Sequence, residues 1–143
     1  MRKSFISIVI VSSAGALLVL DQVIKLAYMT SPIFAERFWI FGPASLNMFL
    51  PFGIPFSDVA FWILAVVVWV ICWIWFFLAD RQYERVILFF ILFAGASNLY
   101  DRVRWGGVVD YIHIAGISVV NMADIIIVGA VIALIMQRLK SKK

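Results

Sequence analysis

Acid–base hydrolysis needs two groups that trade a proton across a reacting bond, and two aspartates of this chain are spaced to do so. Asp110 ends the run Gly107-Val108-Val109-Asp110, and Asp124 ends Asn121-Met122-Ala123-Asp124. Two carboxyl groups at the edge of a low-dielectric medium resist ionising together, so they share a proton, one acting as base and the other as acid. Such a dyad activates a water molecule and protonates a leaving amine, which is amide hydrolysis. Other polar side chains stand at helical spacings: Asp21 and Lys25 at i, i+4, Asn98 and Arg102 at i, i+4 with Asp101 beside them, and Asn121 three residues before Asp124. Each spacing also has a purely structural use, as an ion pair, a helix cap or an interhelical hydrogen bond. His113 has no second histidine, glutamate or thiolate near it in the sequence, so no metal-ligand set forms around it. Neither a Gly-rich phosphate loop nor a serine nucleophile motif is present, and Ser97 reads as a small helix residue. Cys72, alone in an apolar run, reads as a small buried side chain. Two carboxyls and water suffice for the chemistry, so no cofactor is expected.

The elements that position these groups are built for lipid. Hydrophobic residues make up 65% of the 143 positions and charged residues 14%, against about 45–50% and about 25% in soluble domains. A water-soluble domain of this length has too little interior to hide that surface. Eight glycines, four prolines and one cysteine exclude collagen, disorder and a disulfide scaffold. The net charge of +4 comes from residues set between apolar runs rather than from a basic face, so no nucleic-acid partner is expected. A membrane-spanning helix needs about 20 mainly apolar residues. The sequence predicts four: Phe5–Met29, Val59–Ala79, Val86–Leu99 carried on to Arg104, and Met122–Leu139. The first is read as a retained anchor, because its apolar stretch exceeds that of a cleaved signal peptide. The expected fold is an all-α membrane protein, four transmembrane helices in one domain over residues 1–143, with a small β-rich extracytoplasmic cradle.

Eight basic residues (Arg2, Lys3, Arg81, Arg85, Arg138, Lys140, Lys142, Lys143) fall on one side of these spans and four (Lys25, Arg37, Arg102, Arg104) on the other. The positive-inside rule then places both termini in the cytoplasm and sends residues 30–58 and 101–121 outward. Phe34–Phe56, interspersed with prolines, predicts short strands and turns at the bilayer surface. Val108–Ile114 predicts a strand that turns at Ala115-Gly116 into Ile117–Val120, a two-residue hairpin that would set Asp110 opposite Asn121. Each charge inside a span costs about 2.5–3.5 kcal/mol on insertion scales. Here the polar residues of three helix ends gather at the outer side, which implies a polar pocket near the outer leaflet. An ion path is a competing use for them, but it needs polar residues through the membrane depth, and the middles of spans two, three and four have none.

In this order, Asn98-Leu99-Tyr100-Asp101-Arg102, Gly107-Val108-Val109-Asp110 and Asn121-Met122-Ala123-Asp124 resemble the N-L-x-D-R, G-x-V-V-D and F-N-x-A-D blocks of lipoprotein signal peptidases (signal peptidase II). Asp21-Gln22-x-x-Lys25 looks like that family's D-x-x-x-K, so the resemblance threads all four spans. It implies an intramembrane aspartic endopeptidase of the bacterial inner (plasma) membrane. The implied reaction removes the signal peptide of a prolipoprotein just before a diacylglyceryl-modified cysteine, with membrane lipids as surroundings and a monomer as the working unit. By the same resemblance Asp110 and Asp124 are catalytic. Asn47, Asn98, Arg102 and Asn121 bind substrate, while Asp21, Lys25 and Asp101 brace the site. Asn47 and Phe52 keep the ends of the family's N-x-G-x-A-F loop, but Phe49 stands in the place of its glycine, which implies a different backbone path or an aromatic side chain there. His113 stands where an acidic residue is frequent, and the loop between the two aspartates is short. A catalytically silent member of the family is a further alternative, against which both aspartates are present.

The orientation is testable without any assay of activity. A cysteine placed at Ser45 or Ser118 should react with an impermeant thiol reagent on intact cells, while Cys72 stays unlabelled. Labelling seen only after the membrane is broken inverts the topology.

Overall fold

The structure, a computed structural model, describes residues 2–31, 44–48, 58–114 and 118–140. Most of the Phe34–Phe56 cradle, Phe49 and the Ala115-Gly116 turn lie outside these residues. The elements run α1 (Arg2–Thr30), β1 (Ser45–Asn47), α2 (Asp58–Leu78), α3 (Gln82–Trp105), β2 (Val108–Asp110), β3 (Ile112–Ile114), β4 (Ser118–Val120) and α4 (Met122–Lys140). Among the described residues, three segments are long and apolar enough to cross a membrane: Val11–Thr30 of α1, all of α3 and all of α4. In α2 the corresponding apolar stretch, Trp62–Leu78, is shorter.

The centre of the bundle is α3, which packs against α1, α2, α4 and β2. Its neighbour α1 turns inward a stripe of Ala14, Leu18, Asp21, Lys25 and Tyr28, at alternating steps of four and three residues. That spacing keeps one face of a helix against its partner. The opposite face is apolar and open, with Val19 and Val23 more than half exposed. A helix that hides its charges and presents its valines is arranged for a hydrocarbon solvent. Small and branched residues fill the rest of the interior. Leu18, Ala94 and Ala123 meet where α1, α3 and α4 touch, and Ala79, Leu88 and Leu134 join the α2 end to α3 and α4. Along α2, Trp69, Trp73 and Phe77 follow one another at i, i+4 in edge and stacked contacts. The Trp69 indole N–H reaches the Leu92 carbonyl of α3 at 3.4 Å.

The strands differ from the hairpin expected for this segment. Val108–Ile114 is broken at Tyr111, and its halves join separate two-stranded sheets. In the first, β1 pairs antiparallel with β2, matching Ser45 with Asp110, Leu46 with Val109 and Asn47 with Val108. In the second, β3 pairs antiparallel with β4, matching Ile112 with Val120 and Ile114 with Ser118. This register leaves residues 115–117, three rather than two, between the paired ends, and Asp110, paired in the other sheet, faces Ser45 and not Asn121. The break has a physical cause: Val108, Val109, Asp110 and Tyr111 are all buried, so both faces of this stretch pack inward, whereas His113 and Ile114 are exposed.

Two glycines make the corner between α3 and β2. Gly106 closes α3 in the left-handed region, φ 77°, donating its N–H to the Arg102 carbonyl; only glycine adopts this without cost. Gly107 is a contact residue: a Cβ there would lie 2.9 Å from Leu46 Cγ and 3.1 Å from the Asn47 carbonyl oxygen. Gly107→Ala should therefore push β1 off β2 and lower stability by about 1–3 kcal/mol, the range for overpacking. Thermal unfolding in detergent is the measurement, with Gly15→Ala as the control, since nothing lies within 4 Å of a Cβ at Gly15. Equal melting points for the two variants would show that the β1–β2 approach carries no constraint.

Candidate active site

The polar end of the bundle is organised around Lys25. Its ammonium lies 2.8 Å from Asp21 Oδ2 and 2.7 Å from Asp101 Oδ2, and all three side chains are fully buried. It also donates to Asn98 Oδ1 at 3.1 Å. Three N–H bonds thus meet three acceptors, the full capacity of an ammonium. The carboxylates are filled from other elements. Asp21 Oδ1 accepts from the Tyr111 hydroxyl at 2.7 Å and the Met122 backbone N–H at 3.2 Å. Its Oδ2 accepts from Ser97 Oγ at 3.1 Å. Asp101 accepts from Gln22 Nε2 at 2.9 Å and from the Val109 backbone N–H at 3.4 Å. Helices α1, α3 and α4 and strand β2 are all tied to one cluster.

Asp110 and Asp124 are held differently. Asp110, nearly fully buried, accepts from Asn121 Nδ2 at 2.8 Å and from Asn47 Nδ2 at 3.0 Å. Asp124 Oδ1 accepts from Asn98 Nδ2 at 2.8 Å, and its Oδ2 from the Asn121 backbone N–H at 3.3 Å. The side chain of Asn121 completes a reciprocal cap, with its Oδ1 accepting the Asp124 N–H at 2.9 Å. This is the pattern of a capping box at the start of α4. One asparagine therefore spans both aspartates, its amide nitrogen on Asp110 and its oxygen on the backbone of Asp124. Asn98 does the same between Lys25 and Asp124.

Asp110 lies in β2, outside the helices. Burial raises its carboxyl from the ordinary 3.8 to about 6, against the opposing pull of the Asn47 and Asn121 amides. The neighbouring Asp124 adds to the rise, and Lys25 works against it. Tyr111, just beyond, has its hydroxyl pushed up as well, first by burial and then by the Asp21 carboxylate that it donates to. Arg102, half-buried on α3, stands within electrostatic reach of Asp110, Asp124 and Asp101.

Every site residue expected from the sequence lies in this neighbourhood: Asp21, Lys25, Asn47, Asn98, Asp101, Arg102, Asp110, Asn121 and Asp124. Three further members lie outside that expected set. Gln22 donates to Ser97 Oγ at 2.7 Å and to Asp101, Ser97 bonds Asp21, and Tyr111 anchors β2 to the same carboxylate. Ser97 carried a signal, being four residues before Asp101 on the same helical face. Tyr111 carried none, because its partner lies 90 residues away.

Removing the ammonium would leave two buried carboxylates facing each other. Lys25→Met should accordingly cost about 3–5 kcal/mol, the loss measured when one partner of a buried ion pair is deleted. Tyr111→Phe, which gives up one hydrogen bond to a charged group, should cost about 1.5–3 kcal/mol. Melting curves of the purified variants in one detergent test both. A Lys25→Met protein as stable as the parent removes the cluster from its organising role.

Comparisons with known proteins relate the whole chain to one family. The family model described as Signal peptidase (SPase) II matches residues 13–140. The lipoprotein signal peptidase of Synechococcus sp. (strain RCC307) is 30% identical over 144 residues, covering 93% of this chain and 95% of the relative. That of Staphylococcus aureus (strain MRSA252) is 31% identical over 135 residues, covering 85% and 82%. Among solved structures, a bacterial membrane enzyme obtained by the in meso method at 2.3 Å resolution superposes with a TM-score of 0.78 and 25% identity, covering 96% of this chain and 89% of the other. A second, at 1.9 Å resolution, gives a TM-score of 0.74 at 25% identity, covering 94% and 92%. With the family's model spanning most of its length and two relatives matching nearly end to end, the chain belongs to the signal peptidase II family.

Proposed function

We propose that Asp110 and Asp124 are the catalytic pair of this peptidase, which removes the signal peptide from prolipoproteins by cutting just before the diacylglyceryl-modified cysteine. The observation that carries the assignment is a contrast among four neighbouring aspartates. Asp21 and Asp101 face an ammonium, whereas the bonds to Asp110 and Asp124 come from amides. A full positive charge stabilises the carboxylate form; neutral amides fix its direction and leave proton affinity available for chemistry. In the reaction, one carboxylate takes a proton from water as the oxygen attacks the scissile carbonyl. The other, protonated, gives its proton to the carbonyl oxygen. As the resulting diol collapses it takes a proton back from a diol hydroxyl, while the first carboxyl passes the proton it took from water to the departing amine of the cysteine. Asn47, Asn98 and Asn121 orient the two carboxyls, and Arg102 is placed to hold a lipid phosphate or a peptide carbonyl of the substrate.

The setting accords with the same reading. Residues 1–143 form one peptidase domain in a bacterial cell membrane, with α2 as a fourth span, supported by its 21-residue length. The excess of basic residues on one side supports cytoplasmic termini and a site near the outer leaflet. The working unit in this reading is a monomer. An ion path finds no support, since the polar residues buried as a whole among the described residues (Asp21, Lys25, Ser97, Asp101, Asp110 and Asn121) gather at one end of the bundle.

Asp110→Asn and Asp124→Asn should each abolish cleavage of a lipopeptide while the protein remains folded and inserted, because Asn keeps the shape but cannot exchange the proton. Turnover in either variant removes that residue from the mechanism. The pH profile is a second check. Cleavage should follow a bell whose limbs belong to the pair. Its acid limb marks protonation of both carboxyls. Its alkaline limb marks loss of the shared proton and should lie above the ordinary aspartate range, the direction in which burial moves Asp110. Asn47→Ala removes a bond that holds the Asp110 value down, so the alkaline limb should move to higher pH. The sign for stability is set by the same rise: the contribution of Asp110 is complete below about 4 and lost as pH rises through about 6. A rate flat from acid to alkali leaves the shared-proton pair without support.

A further inference from the structure

The end of the bundle away from the aspartates carries a second polar constellation, unused by the chemistry above. Where α2 turns into α3 beside the last turn of α4, a half-open cleft of about 280 Å³ is lined by Trp75, Asp80, Arg81, Glu84, Gln137 and Arg138. Charges of both signs share it: Arg138 Nη2 lies 3.8 Å from Glu84 Oε1, with its guanidinium over the Trp75 ring. Arg81 leans on Tyr83, donating to its hydroxyl at 2.6 Å. Beside them Gln137 Oε1 is buried and accepts no hydrogen bond from any described residue. A buried carbonyl oxygen in that state calls for a donor. The rim continues onto bare apolar surface, since Leu78, which lines the cleft, and the nearby Phe77 and Leu139 are each at least 65% exposed.

We propose that this cleft binds the phosphoethanolamine headgroup of a membrane phospholipid. The primary ammonium donates to Gln137 Oε1 and to the Glu84 and Asp80 carboxylates, the phosphate meets Arg81 and Arg138, and the acyl chains lie along Phe77, Leu78 and Leu139. The charge pattern selects this class. A choline headgroup has no N–H to offer Gln137, and a glycerol headgroup brings no cation to Glu84. The position agrees, because Trp, Tyr and Arg side chains at the end of apolar helices mark the headgroup level of a bilayer. The inference rests on the membrane setting and not on the assignment of the dyad.

The test uses the full chain purified in detergent, titrated with phosphatidylethanolamine, phosphatidylcholine or phosphatidylglycerol of the same acyl chains, with bound lipid read by native mass spectrometry. The ethanolamine lipid should be retained with a roughly tenfold preference over the choline lipid, the worth of one charge-assisted hydrogen bond. Gln137→Leu should erase that preference and Glu84→Gln should weaken it, while both variants still cleave lipopeptide, which shows that they are folded. Equal retention of ethanolamine and choline lipids, or a preference unchanged in both variants, overturns the proposal. Glycerophosphoethanolamine without acyl chains tests the source: if it binds as tightly as the lipid, the ligand is a soluble phosphoethanolamine and the lipid site is refuted.

Discussion

A fully buried ammonium is the constraint on which the remainder of this bundle depends. Lys25 loses all contact with solvent, so the fold is acceptable only in an arrangement that brings it acceptors in three directions. One comes from its own helix, one turn back at Asp21; the other two, Asn98 and Asp101, come from α3. The rotation and height of α1 against α3 are thereby set. The second lone pairs of the same carboxylates then fix β2 and the start of α4. Val109 and Tyr111, the residues on either side of Asp110, both reach this cluster, as does the first N–H of α4 at Met122. Asp110 is therefore held at its two flanks by groups that take no direct part in orienting its carboxyl.

This arrangement separates two uses of the same residue type. Asp21 and Asp101 are neutralised by an ammonium and hold helices together. Asp110 and Asp124 are directed by asparagines, and burial pushes the Asp110 carboxyl up to about 6. Asn98 forms the boundary between the two sets, its oxygen on Lys25 and its nitrogen on Asp124, while Asn121 ties Asp110 to the backbone of Asp124. An amide suits that position because it donates and accepts through a rigid plane, so displacing one partner displaces the other. The polarity of the whole bundle is inverted relative to a soluble domain, and α3 shows the reason most plainly. Its buried face ends in Ser97 and Asp101, while Phe93 and Val103 point outward.

Much of the site was legible where both partners lie within one helical turn. The Asp21–Lys25 ion pair and the Asn121 cap on Asp124 follow from i, i+4 and i, i+3 spacing, and both are present. The strands were less legible. β-Branched content located the Val108–Val120 strands, but the run Val108–Tyr111 is buried on both faces and so carries no alternation to reveal where one sheet ends and the next begins. Asp110 faces Ser45 rather than Asn121 because β2 pairs with β1 in a sheet of its own, and only β3 pairs with β4.

By itself the amino-acid sequence determined the solvent of the fold, the helices, the family resemblance and the identity of the polar residues. Each of these depends on composition or on spacings of a few positions. Tertiary structure alone decided which aspartates face the lysine and which face amides. That choice depends on how α1 crosses α3 and on where β2 is pinned, through contacts such as Tyr111 to Asp21 that join residues 90 positions apart. Hydrogen bonds of a few ångströms are blind to distance along the chain, and no local pattern encodes them.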